Sequence, residues 1–372
     1  MLKGKHILLI SPEAWGQNFV SKHHYAHYLA KDNTVYFLNP VNGSGLNPFE
    51  NIDAQLVPIS ERIIAVNYKN LIPKLNHQPK FIQSAIYKRQ AKQILAALHT
   101  APDIVWSFDP YRFFNQEVWN ADTNIYHAVD CHNQCFEADI AKSSDIVLLT
   151  SETFRNRLRN YNDNIHFTGH ALDLDNFLNE TTHQITIPGQ QNIKAGLIGS
   201  FNKMVDYRIM MKMAKLNTSV DFIFIGPYQD SSLDNSTHVA ENIKKLKALD
   251  NVFFIGSVPA KTLPHWLRFF DINLILYKED YRYMAVNPHK VMGYFYAGNI
   301  TISSWIEEYI TAESTLIYMT ESNDNIPKMI AEVAQDIDYW NRSEFVSQRQ
   351  NFAKTNTYAE KIKFVEKLIS SQ

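Results

Sequence analysis

The stretch Asn287-Pro-His-Lys-Val-Met-Gly-Tyr-Phe-Tyr-Ala-Gly298 reads as the opening of a helix. Asn287 suits an N-cap and Pro288 a first helical position. His289 and Lys290 then fall in the first turn, an end already made positive by the helix dipole and its free N–H groups. A lysine there makes sense when an anion sits on the helix tip, and phosphate is the usual anion. Alone, such a lysine would read as a solvated side chain, so the neighbouring sequence decides.

Working backwards, short apolar runs at Ile193–Ile198, Val220–Ile225, Val252–Ile255 and Ile272–Leu276 precede this helix, and Ile300–Ser303 follows it. Helices are expected between them at 205–216, 238–249, 260–270 and 288–297. Val205, Ile209, Met213 and Leu216 share one face of the first. The same alternation fills the first half of the chain. Strands are expected at 6–10, Thr34–Leu38, twice within 54–66, and at Asp103–Phe108, Asn124–Val129 and Asp145–Thr150, with a helix over 18–31. Alternating strands and helices predict an α/β fold of two tandem, Rossmann-like doubly wound domains facing a cleft. The polar run Asn179–Asn192 suggests a linker. The expected division is 1–180, a linker at 181–192, a second domain at 193–345, and C-terminal helices over 346–372 that return toward the first domain, broken near Asn356.

Composition narrows the function. The chain has 372 residues, is 45% hydrophobic and carries a formal net charge of −2, a balance that gives no reason to expect nucleic acid as a partner. Two cysteines, Cys131 and Cys135, exclude a disulfide scaffold and suit a reducing, cytoplasmic compartment. No apolar run approaches a membrane span. The segment 61–95 differs from the rest: seven Lys and Arg residues against Glu61 alone, interleaved with apolar side chains, the composition of a surface able to rest on an anionic membrane. There is no G-x-S-x-G elbow, no Walker-type loop and no G-x-G-x-x-G fingerprint.

Three strand-end loops of the second domain would converge. Gly199-Ser200-Phe201-Asn202-Lys203 lets backbone N–H groups approach an anion that Lys203 can neutralise. Gly256-Ser257-Val258 is the second, and the helix opened by Asn287, Pro288, His289 and Lys290 is the third. In the first domain Asp109 and Asp130 close two strands, where a carboxylate can serve as general base or cap the next turn. Asp130-Cys131-His132 with Cys135 lacks the second cluster that a zinc site needs, so no metal is expected.

Taken in order, these segments resemble the bacterial GT-B fold glycosyltransferases over nearly the whole chain. Asp145–Ser151 is similar to the family's D-x-V-x-x-x-S strand, and His170–Phe177 to its N-G-V-D-x-x-x-F segment. Ile198-Gly199-Ser200 with Asp206, then Asn251–Gly256, Leu263-Pro264 and Asp271–Leu276, follow the order of its donor domain. Pro288–Gly298 is similar to P-x-K-x-x-E-Y-x-A-x-G, which adds Tyr294 to the site. Gly293 replaces the acidic residue of that motif, Tyr277 stands where proline is common, and Ala285 interrupts the paired-glutamate pattern. The layout is closer to exopolysaccharide glucuronosyltransferases. The resemblance implies a metal-independent transferase with no cofactor beyond a UDP- or GDP-linked sugar bound by the second domain. A glycan or polyprenyl-linked acceptor would lie on the first domain, with Asp130 as base if the enzyme inverts. A sugar-nucleotide epimerase of the same fold and a non-catalytic scaffold subunit are the alternatives.

Overall fold

The computed structural model describes residues 2–16, 19–45, 47–130, 135–179, 185–228, 237–282 and 287–371. Two units result, one of residues 1–169 with 358–372, the other of residues 170–357.

The first unit is built on eight strands: β1 His6–Ile10, β2 Thr34–Leu38, β3 Gln55–Pro58, β4 Ile63–Asn67, β5 Ile104–Ser107, β6 Thr123–Ala128, β7 Ile146–Leu149 and β8 Ile165–Phe167. Their order in the sheet is β3-β4-β2-β1-β5-β6-β7-β8, parallel throughout except for the antiparallel edge pair β3–β4. β5, β6 and β7 are buried along their whole length, which is why they read as unbroken apolar runs rather than alternating ones. β8 is only three residues long and escaped the sequence reading. The expected helix at 18–31 occupies Ser21–Leu29.

Arg112 ties the carboxyl ends of four strands together. Its buried guanidinium donates to Ser11 O, Asn39 O, the Tyr68 hydroxyl and Asp109 Oδ2, at 2.6–2.9 Å. Burial opposes that charge, but Asp109 and Tyr68 more than offset the cost, so the guanidinium stays ionised.

The second unit holds β9 Ile193–Ile198, β10 Val220–Ile225, β11 Val252–Gly256, β12 Ile272–Ile275, β13 Ile300–Ser304 and β14 Tyr318–Thr320, in the parallel order β11-β10-β9-β12-β13-β14. The order reverses between β9 and β12, the place where such sheets bind ligands. One core lies around helices Tyr207–Leu216 and Ile326–Gln335, the other around helix Lys290–Ala297.

The chain divides at Gly169, earlier than the expected boundary at 180. Residues 170–179 pack on the second unit: Asp173 caps helix Leu174–Leu178, and the Phe177 ring meets Tyr296 edge-on at 4.9 Å. The expected linker 181–192 is partly anchored too, since Gln191 N–H donates to Asp221 Oδ2 at 2.8 Å. The C-terminal helices also divide. Ser343–Lys354 belongs to the second unit and only Tyr358–Ser370 to the first. Between them, Asn356 O accepts from Leu172 N at 2.8 Å, which fixes the break near Asn356.

Candidate functional site

The second unit gathers its sequence-predicted residues at the carboxyl ends of β9, β10 and β11. Each of these strands ends in Ile-Gly: Ile198-Gly199, Ile225-Gly226 and Ile255-Gly256. All three glycines have positive φ, at 154°, 139° and 86°. Gly199 N–H donates to Ile225 O and Gly226 N–H to Gly256 O, at 2.9 and 2.8 Å, so the glycines form a row across neighbouring strands. A Cβ on Gly226 would lie 1.9 Å from Gly199 O. The row can exist only without side chains, and it leaves a bare backbone shelf.

Lys290 stands at one end of that shelf. Its ammonium lies 2.5 Å from where a Cβ on Gly199 would be. Tyr277 offers it a ring face, with 5.4 Å between Nζ and the centroid. No carboxylate among the described residues pairs with it. The first strand-end loop and the helix are therefore one constellation, in which the Lys290 ammonium can hold an anion and the bare backbone lets it approach closely.

The helix begins later than expected. Its first residue is Lys290 and its N-cap is His289, which makes no side-chain cap bond. Asn287 is buried in the left-handed region at φ 41°, and its Oδ1 accepts from the Tyr309 hydroxyl at 3.5 Å. Asn287 and Pro288 are thus packed under the site rather than capping the helix, and His289 is exposed beside His170. Tyr294 is placed differently from the sequence expectation. It is buried beneath the sheet, and its hydroxyl accepts from Ile198 N–H at 2.9 Å. It positions the end of β9 and is closed to a ligand arriving from solvent. Ser200, Lys203 and Ser257 are exposed, and Val258 is half-buried, in the two glycine loops. Phe201 anchors the first loop against Phe224 and Phe254.

At Gly293 an added Cβ would meet Phe177 Cζ and Leu267 Cδ1 at 3.7 Å each. These are ordinary van der Waals distances, so a methyl fits there. Ala285 lies outside the described residues.

Arg349 was not singled out by any motif. Fully buried, it donates to Gly298 O, Thr315 O, Trp340 O and Asn341 Oδ1, and so clamps the C-terminal end of the site helix. Burial pushes its guanidinium down to about 10, since no carboxylate is among those partners.

In the first unit, Asp130 is exposed two residues beyond β6. Asp109 is buried, 2.6 Å from Arg112, and so is a structural anchor rather than a base. Cys131, His132 and their neighbours through Gln134 lie outside the described residues. Among the described residues no group of three His, Cys, Asp or Glu side chains could hold a metal.

No known protein-family model matches the sequence. The Bacillus subtilis (strain 168) protein named for teichuronic acid biosynthesis, glycosyltransferase TuaH, is 22% identical over 172 residues, which is 46% of this chain and 42% of that relative. The similarity thus spans less than half of either protein. Among solved structures, E. coli trehalose-6-phosphate bound with UDP-2-fluoro glucose superposes with a TM-score of 0.70 at 9% identity, over 98% of this chain and 99% of that one. The sucrose-phosphate synthase of Thermosynechococcus elongatus gives 0.67 at 11% identity, over 99% and 100%. The UDP-forming alpha,alpha-trehalose-phosphate synthase of Burkholderia vietnamiensis gives 0.68 at 9%, over 98% and 96%. With two Rossmann-like units in one chain and these likenesses over its full length, the protein has the GT-B fold of the bacterial glycosyltransferases.

Proposed function

We propose that this protein is a glycosyltransferase that moves a sugar from a UDP- or GDP-linked donor to a glycan or polyprenyl-linked acceptor in cell-surface glycan synthesis. The observation that carries the reading is the Lys290 ammonium, paired with no carboxylate among the described residues and set against the bare backbone of Gly199. Transfer leaves negative charge on the departing diphosphate. A cation already in position stabilises that charge without rearranging. Lys290 takes the diphosphate, with Lys203, Ser200, Ser257 and Val258 in the flanking loops. If transfer inverts the anomeric centre, Asp130 takes the proton of the acceptor hydroxyl. The surface-glycan context is supported by the name of the B. subtilis relative, and a nucleotide-sugar donor by the ligand of the E. coli structure.

The test is Lys290→Ala. Folding should be unchanged, because the ammonium has no ion pair among the described residues to lose, and transfer should fall about a hundredfold or more. Near-normal turnover would sink the assignment. Calorimetry on the unaltered protein with UDP- and GDP-sugars separates the alternatives. A scaffold would bind none of them, and an epimerase would consume donor with no acceptor present.

Peripheral membrane contact is part of the proposal. Helix Lys80–Leu98 carries Lys80, Lys88, Arg89 and Lys92 and no acid. Most of the apolar residues of 61–95 are core, including Ile63, Tyr68, Leu71, Ile86 and Tyr87. Phe81, however, is 76% exposed, and the neighbouring Phe49, whose carbonyl accepts from Arg89, is 79% exposed. Exposed Phe81 and Phe49 beside the cations of this helix, of which Lys80 pairs with Asp139, suit an anionic lipid surface. No described helix is long and apolar enough to cross a membrane. Sedimentation with phosphatidylglycerol vesicles should carry the protein down, and Phe81→Ser with Lys88→Glu should abolish this; equal sedimentation of both proteins would refute the contact.

A further inference from the structure

At the far end of the glycine shelf from Lys290 stands an aromatic ring that no motif predicted. Tyr228 follows β10 as Gly226-Pro227-Tyr228, and its Cε1 lies 3.8 Å from where a Cβ on Gly256 would be. Two neighbours fix the ring. Lys247 places its ammonium 4.3 Å from the ring centroid and donates to the Tyr228 hydroxyl at 2.9 Å. Phe254 meets the ring edge-on at 5.3 Å. The side chain is half-buried, so part of the ring stays open to solvent.

The spacing is informative. Gly199, Gly226 and Gly256 end three adjacent parallel strands. Neighbouring strands lie about 4.8 Å apart, so two steps from Gly199 to Gly256 span about 10 Å. At one end is an ammonium with no carboxylate partner among the described residues. At the other is a ring with Lys247 over one face and at its hydroxyl, and Phe254 on one edge. Between them runs backbone without side chains. A nucleoside diphosphate has the matching order of parts: a diphosphate, a ribose that needs room, and a flat base.

We infer that Tyr228 is the base-stacking residue of this site, taking the base of the nucleoside diphosphate whose diphosphate Lys290 holds. Lys247 is its positioning residue. The inference rests on the proposed nucleotide-sugar reading and adds to it the residue that recognises the nucleoside. Stacking is tolerant of base identity, because every base has a π-face. Discrimination between uracil and guanine would therefore come from the exposed loop beside the ring, which carries Ser257 and Val258.

The experiment compares UDP, GDP and inorganic pyrophosphate as ligands by titration calorimetry. Tyr228→Ala should bind the preferred nucleoside diphosphate about tenfold or more weakly, the usual loss on removing a stacked ring, with pyrophosphate affinity unchanged. Tyr228→Phe keeps the ring and should stay within about threefold of the unaltered protein, because the stacking face is intact. Unchanged nucleotide affinity in Tyr228→Ala overturns the inference. So does an equal loss for nucleotide and pyrophosphate, which would mean that the ring only supports the shelf. If the unaltered protein binds pyrophosphate but neither nucleotide more tightly, the base contact is wrong and the anion site stands. If it binds none of the three, the nucleotide reading falls and this inference with it.

Discussion

His127 is a residue whose chemistry is set entirely by its surroundings. It lies on β6, stacked with Phe108 at 4.9 Å and bordered by Tyr25 and Trp106. Trp106 Nε1 donates to its Nδ1 at 3.4 Å. Burial, and then the charges of Lys22 and Lys361, push the imidazole down to about 3 from its ordinary 6.5. The folded protein therefore keeps His127 neutral, while the unfolded chain takes a proton below 6.5. Stability from this residue is complete above 6.5 and falls as pH drops from 6.5 towards 3. The loss should reach about 2 kcal/mol by pH 5. Denaturant unfolding of the unaltered protein and of His127→Gln, each at pH 7.5 and pH 5, checks this: the pH-dependent difference between them should vanish in the first unit if another group titrates. Arg349 makes the same point about context. Its sequence position, in a helix of ordinary polar composition, gives no sign of a buried clamp on the site helix. Two distant partners, Gly298 and Thr315, and two nearer ones, Trp340 and Asn341, create that role.

Among elements, the glycine row decides whether a site exists. The sequence carries its signature openly, as Ile-Gly at the end of three successive strands, and its local pattern points to Gly199 as a site residue and to Gly256 as the start of a site loop. It does not point to Gly226, because the need for glycine there arises from the neighbouring strand: its Cβ would collide with the Gly199 carbonyl. Backbone cannot swing away as a flexible side chain can. Gly226→Ala should therefore separate β9 from β10 at the shelf and destabilise the second unit by about 2 kcal/mol or more, from steric strain and a positive φ. Binding of UDP or GDP should drop with it, measured as a lost ligand-induced rise in melting temperature. Ligand response equal to that of the unaltered protein would show that the shelf is not the binding surface. The site helix teaches the complementary lesson. Its existence and its lysine were legible from local chemistry. Its first residue was not, since Tyr309 draws Asn287 into the core and moves the start of the helix to Lys290.

At the scale of the whole molecule, the chain crosses twice between units, after Gly169 and again at Thr357. The last helix completes the first unit: Tyr358 packs edge-on against Tyr25 at 5.0 Å and stacks with His24 and Tyr28. Val365 on the same helix is fully buried. Removing residues 358–372 would expose that aromatic cluster. It should lower the melting temperature of the first unit and leave the second unchanged, which calorimetric scanning with two resolved transitions would detect. A single unchanged profile would mean that the helix contributes little.

Two doubly wound units, the positions of most strands, the break between the last two helices and the lysine at a helix tip were determined by sequence alone. These depend on local apolar runs, turn chemistry and helix-end electrostatics, all of which act over a few residues. The placement of Lys290 against Gly199, the burial of Tyr294 and Asp109, the ownership of residues 170–179 and 343–354, and the roles of Gly226, Tyr228 and Arg349 were decided only in three dimensions. Each depends on which distant segment packs against it, and a contact between residues far apart along the chain leaves no trace in the local pattern of either.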